Sequence, residues 1–206
     1  MPANNHASPN GVLPFLQLNS SCGAVSTVKD IPGNKLSKWI SSQSEIARNI
    51  PTFQDYEVYF SLIEREIRNS WLFTLYLDRQ NSRAVAQHLY INPCSNNTFV
   101  REVLFKQLQQ AAKEELNKAV PFITEEELLS EAGRAFWALS KLLAEENYFS
   151  REKKPSFLDA SLFAYTHPLL DSTLKWRNHR LENKLRQYDN LVCHRQRLLD
   201  AYYPQS

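Results

Sequence analysis

An apolar spacing of three and four residues takes over after Pro51 and constrains this chain more than any other feature. In "TFQDYEVYFSLIEREIRNSWLFTLYL", Phe53, Tyr56, Phe60, Ile63, Ile67 and Leu75 recur mainly at those intervals, which puts them on one face of a helix. Thr52 is the candidate N-cap. Only 4 of the 206 residues are glycine, whereas sandwiches and propellers spend glycine on their many turns. The prediction is a mostly helical chain.

The same period defines the later helices. Pro93 interrupts the chain within "INPCSNNT", and "TFVREVLFKQLQQAAKEELNKA" predicts a long helix with Val103, Leu104, Leu108 and Ala111 inward. "TEEELLSEAGRAFWALSKLLAEEN" opens on Thr124 with Glu127 three residues on, a capping box. Its acidic first turn suits the helix dipole. Leu128, Ala132, Ala135, Leu139 and Leu142 mark its buried face. Two more helices follow, in "PSFLDASLFAYTHPLL" and "LENKLRQYDNLVCHRQRLLDAYY".

The first 45 residues read differently. "SPNGVLPFLQL" predicts a short strand after a turn, "NSSCGAVSTVKDIPGN" reads as loop, and "KLSKWISSQSEIARN" spaces Leu36, Ile40 and Ile46 as one helical face. The expected division is therefore residues 1–50 and 51–206.

Net charge is +2, from 24 basic and 22 acidic residues, so any basic patch is local and nothing global points to nucleic acid. Cys22, Cys94 and Cys193 are scattered and odd in number, which suggests neither a disulfide framework nor a zinc site and favours a reducing compartment. No apolar run approaches the roughly 18 residues that span a bilayer, so membrane contact is expected to be peripheral. Two sequons, at Asn19 and Asn96, matter only in a secreted chain.

One pair of residues invites a catalytic reading. Ser156 and Asp159 stand three apart at the head of an apolar helix, where the hydroxyl can accept from the Asp159 amide and the carboxylate can reach back to the Ser156 amide. A nucleophile would need a base within hydrogen-bond reach and an oxyanion hole, and no G-x-S-x-G supplies them. The pair is read as a helix cap, worth on the order of 1 kcal/mol per partner. Cys193 and His194 are adjacent on a helix, so they diverge by about 100°. The expectation there is a packed cysteine and a solvated histidine, with no metal site.

Two surfaces are candidates for partner contact. Trp71, Phe73 and Tyr76 cover more than one helical face in "NSWLFTLYLDR" and fit either core packing or an exposed docking surface. Lys175, Arg177, Arg180 and Lys184 begin a basic stretch suited to lipid head groups or an acidic partner. A solvated face balanced by the acids from Glu125 to Glu131 fits equally well. Nucleic acid is not expected, since no binding module accompanies the charge.

The stretches "LLAEENYFSRE", "KPSFLDASLFAY" and "YDNLVCHRQRLLDAYY" together resemble the C-terminal helical domain of the glutathione-transferase-like superfamily, and within it the metaxin family. In that family the Ser-x-x-Asp cap is a folding device, here Ser156 and Asp159. "SPNGVLPFLQL" is similar to the thioredoxin-like domain where a strand follows a cis proline, which makes Pro14 the candidate cis-proline. Thirteen residues precede it, so the resemblance implies an incomplete thioredoxin-like α/β part joined to a glutathione-transferase-like helical bundle.

"WLFTLYL" adds a likeness to the fungal peripheral metaxin-like subunits of the mitochondrial sorting and assembly machinery. This implies a non-enzymatic protein on the cytosolic face of the mitochondrial outer membrane, with no cofactor. Its implied partners are a β-barrel insertase, a second metaxin-like subunit and β-barrel precursors, whose C-terminal sorting signal it helps recognise. The alternative is a glutathione-dependent transferase-like enzyme. "QLNSSCGAVSTVKD" lacks the acid–serine pair with which transferases grip the γ-glutamyl group, which weighs against that alternative.

Overall fold

The computed structural model describes residues 15–22, 25–42, 56–119, 124–150 and 154–203. Pro14, Phe53 and the cap at Thr52 lie outside them. The chain divides into two compact units, Met1–Pro51 and Thr52–Ser206, and it is mostly helical.

In the first unit, β1 (Phe15–Cys22) and β2 (Val25–Pro32) pair antiparallel, with Phe15 opposite Pro32 and Cys22 opposite Val25. Gln17 Nε2 donates to Asp30 Oδ1 directly across the ladder, at 3.0 Å. β2 occupies a stretch expected to be loop. Its strand character comes from pairing with β1, which satisfies its backbone groups and which local periodicity does not encode. Helix α1 (Gly33–Ser42) follows.

The second unit opens with a long helical rod. Helix α2 (Glu57–Leu62) runs through a π-helical segment, Ile63–Ile67, into α3 (Arg68–Leu72) and a second π segment, Phe73–Leu77. The widened ladder shows in Asp78 N, which donates to Phe73 O five residues back at 2.8 Å. Each π turn absorbs an extra residue and rotates the stripe. The inward positions therefore become Ile63, Ile67, Ser70, Thr74 and Leu75. Ser70 Oγ lies 2.7 Å from Leu128 O, so a small hydroxyl joins this rod to the helix that carries Leu128.

Short helix α4 (Arg79–Asn81) leads into a π segment, Ser82–Ile91, and a 3-10 turn, Asn92–Cys94. Helix α5 (Thr98–Ala119) then runs back along the rod. Its buried residues are Phe105, Ala112 and Leu116, while Val103 and Ala111 are exposed. The expected inward face was thus misplaced by about one residue. The apolar residues of α5 straddle more than one face, so period alone cannot fix the rotation. The Phe105 ring, covered by the Arg83 guanidinium at 5.3 Å, decides it.

Helix α6 (Glu125–Leu143) starts at a capping box, with Glu127 Oε2 accepting from Thr124 N at 2.8 Å. It buries Leu128, Leu129, Ala132, Ala135, Phe136, Leu139 and Leu143 and forms the centre of the bundle. Helices α8 (Arg180–Leu185) and α9 (Asp189–Tyr202) pack against it, and α7 (Phe157–Leu170) packs against α8, α9 and the start of the rod. Leu158, Leu162, Leu169, Leu181, Leu185 and Leu191 share one core with Ile63, Ile67 and Phe136.

Candidate functional site

Two polar arrangements and one apolar groove stand out in the second unit. The first is the head of α7. Asp159 Oδ2 accepts from Ser156 N and from Ser156 Oγ, both at 2.6 Å, and Oδ1 accepts from Phe149 N at 3.0 Å. His194 Nε2 lies 2.7 Å from the same Oδ1. Asp159 and His194 are completely shielded from solvent. Burial alone would push the Asp159 carboxyl up, but hydrogen bonds from His194, Ser156 and the Phe149 amide outweigh it and hold the group below its usual range.

Serine, aspartate and histidine are all present here, yet their order is wrong for acyl transfer. A triad needs the imidazole between nucleophile and carboxylate. In this structure the carboxylate stands in the middle, so the Ser156 hydroxyl donates to a weakly basic carboxylate and the imidazole lies on the far side of it. What the group does is join the helix start, the Phe149 segment and α9.

His194 reverses the expectation for the Cys193–His194 pair: Cys193 is exposed and His194 is buried. Leu191, His194 and Leu198 sit at three- and four-residue intervals, and all are buried. The histidine thus occupies a position in the apolar stripe of α9, and that spacing was the available signal. The His194 ring also meets Phe149 edge-on at 5.4 Å. Its Nδ1 is buried with no partner among the described residues, so the single proton of a neutral ring belongs on Nε2, facing the carboxylate.

The second arrangement mounts the basic stretch. Asn81 is fully buried. Its Nδ2 donates to Asn178 O at 2.9 Å, and its Oδ1 accepts from Arg177 N and Asn178 N, each at 2.9 Å. Asp78 caps α4 through Oδ1 and takes Asn178 Nδ2 on Oδ2 at 2.8 Å. Trp176 inserts beside this hub, donates from Nε1 to Pro168 O at 2.9 Å and meets Trp71 edge-on at 5.4 Å.

This brings the two candidate surfaces together. Trp71 and Tyr76 pack with Leu75, Val85, Ala86 and Trp176 in one apolar cluster, and Phe73 is half-buried. Burial, with Tyr90 nearby, pushes the Tyr76 hydroxyl up to about 12. Lys175 and Arg177 flank the buried Trp176 and are exposed. Neither side chain pairs with another described residue.

Arg180 and Lys184 behave differently. Arg180 forms an ion pair with Glu125 at 3.0 Å and a shorter one with Glu126. The Arg180 hydrogen bond, helped by the charge on Lys184, holds the Glu126 carboxyl below its usual range. These two cations therefore face the acidic first turn of α6, and the open positive charge narrows to Lys175 and Arg177.

The third feature is an apolar groove between α7 and α9, about 210 Å³ in volume and lined by Pro155, Ala160, Phe163, Leu198, Tyr202 and Tyr203. Phe163 stacks on Tyr203 at 5.7 Å and on His167 at 5.0 Å. Among the described residues no three His, Cys, Asp or Glu side chains converge as metal ligands would. No described helix is long and apolar enough to cross a membrane.

Residues 132–198 match the family model described as the C-terminal domain of glutathione S-transferase. No curated protein matches the chain. The matched stretch runs from the middle of α6 into α9 and contains Ser156, Asp159, Trp176 and His194. In these helices the chain carries a glutathione-transferase-like C-terminal domain.

Proposed function

We propose that this chain is a non-catalytic, peripheral, metaxin-like subunit of the sorting and assembly machinery on the cytosolic face of the mitochondrial outer membrane. In this role it contacts a β-barrel insertase and a second metaxin-like subunit, and it helps receive precursors through their C-terminal sorting signal. The observation that supports this reading most is the mounting of Lys175 and Arg177. Two unpaired cations stand on a segment pinned by Asn81 and Trp176, which favours docking of an acidic surface with little ordering cost. The buried Ser156–Asp159–His194 group serves folding in this account.

The test is recovery of partners from detergent-solubilised membranes. The wild-type chain should co-purify with a β-barrel outer-membrane protein, and Lys175→Glu with Arg177→Glu should reduce that recovery without changing the melting temperature. Absence of any β-barrel partner would sink the reading.

The family match favours a second reading, a glutathione-dependent transferase-like enzyme. Retention on immobilised glutathione together with conjugating activity would establish it. The lining of the α7–α9 groove carries no charged side chain, and a multiply charged tripeptide needs such groups to offset its desolvation.

A further inference from the structure

The segment 68–115 forms a helical hairpin whose end is apolar and basic. Its antiparallel course is fixed by three contacts that climb one arm as they descend the other: Glu102 with Arg83 at 3.4 Å, Gln109 Nε2 with Tyr76 O at 3.0 Å, and Glu115 with Arg68 at 3.0 Å. The turn at 92–97 is therefore a tip. It is held by Arg101 Nη1 donating to Asn92 Oδ1 at 3.5 Å and by Asn97 Oδ1 accepting from Phe99 N at 2.9 Å.

That tip concentrates apolar exposure. Phe99 is 77% exposed, and Leu89, Tyr90, Val100 and Val103 are 40–47% exposed. These are five of the ten large apolar side chains exposed among the described residues. A cluster of this kind marks an interaction site. The local charge identifies the partner's sign. Between Arg83 and Lys106 the cations are Arg83, Arg101 and Lys106, with His88 beside them, and the one acid, Glu102, is paired with Arg83.

We infer that this hairpin tip docks on an anionic lipid surface, with Phe99, Val100 and Val103 entering the head-group layer and Arg101 and Lys106, which pair with no carboxylate among the described residues, meeting lipid phosphates. Apolar side chains on both sides of a turn suit a deformable interface, and a Tyr ring and basic stems suit its polar boundary. Cations near an anionic membrane surface add to the attraction. The inference rests on the hairpin alone, so vesicle binding and partner recovery can fail separately.

The experiment is flotation of the full-length chain with phosphatidylcholine vesicles, with or without phosphatidylserine. The chain should float with the anionic vesicles, less so as salt rises. Phe99→Ser with Val103→Ser should weaken partitioning by at least about tenfold and leave the circular dichroism melt unchanged, because both positions are exposed. An environment-sensitive dye on Cys94, in the tip, should shift to the blue on vesicle addition. The same dye on Cys193 should not.

No flotation with anionic vesicles overturns the inference. So does a double variant that floats like wild type, or a response at Cys193 with silence at Cys94. If the double variant loses a co-purifying protein while neither form floats, the tip is a protein interface and the lipid assignment is wrong.

Discussion

The His194 imidazole and the Asp159 carboxylate meet 2.7 Å apart across 35 residues of sequence, with both side chains sealed from water. Asp159 therefore caps α7 and also anchors α9. Removing it strands four donors, Ser156 N, Ser156 Oγ, Phe149 N and His194 Nε2, whereas removing the Ser156 hydroxyl strands one, the Asp159 amide 3.4 Å away. We expect Asp159→Ala to cost about 3 kcal/mol or more, His194→Ala about 2–4 kcal/mol and Ser156→Ala about 1 kcal/mol. Urea denaturation of the three variants measures the order. A loss for Asp159→Ala as small as that for Ser156→Ala would show that the buried carboxylate is no more than a cap.

The same carboxylate makes stability depend on acid. Its folded value lies below the ordinary 3.8, so its contribution is whole above that value and drains away as pH falls toward the native one. Denaturation midpoints of wild type and Asp159→Asn should differ most near neutrality and converge as pH drops from about 5 to about 2. Parallel curves over that range would show that Asp159 titrates alike in the folded and unfolded chains.

Ala144 ends α6 at φ 50° and ψ −121°, a region that glycine enters without penalty and alanine does not. It is held there by its amide donating to Ser140 O at 3.0 Å and by Asn190 Nδ2 donating to its carbonyl at 3.1 Å. Ala144→Gly keeps both bonds and should raise stability by about 0.5–1 kcal/mol, the relieved strain exceeding glycine's extra entropy cost. A lower melting temperature for this variant would mean that the alanine sits there without strain.

What the sequence disclosed was local. The two capping boxes could be read because each partner lies three residues from the other, and most of the face of α6 because Leu128, Ala132, Ala135 and Leu139 recur at helical spacing, although Leu143 is fully buried where Leu142 is only partly so. β2 and the rotation of α5 were missed because each is decided by what packs against it: β1 in one case and Arg83 over Phe105 in the other. His194 was expected to be solvated although its spacing to Leu191 and Leu198 signalled burial, and its partner lies 35 residues away, as Asn81 finds Asn178 across 97. Surface charge was half legible. The composition marks a basic stretch, and only the fold divides Lys175 and Arg177 from the ion-paired Arg180.

Asn81 provides the sharpest test of whether the Lys175–Arg177 segment is held in place. Its amide satisfies Arg177 N, Asn178 N and Asn178 O at once, so Asn81→Ala leaves three partly buried backbone groups without their partner and should cost about 2–3 kcal/mol. Stability loss alone would not separate a pinned segment from a well-packed asparagine. Trypsin does, because the segment carries cleavage sites after Lys175 and Arg177. Local release should speed cutting at those two bonds beyond what Leu181→Ala, a core variant of similar destabilisation, produces. The Trp71–Trp176 contact at 5.4 Å should loosen with it and change the tryptophan emission. Equal cleavage in the two variants would mean that the segment opens only when the whole bundle does, and that Asn81 contributes stability without holding the basic pair.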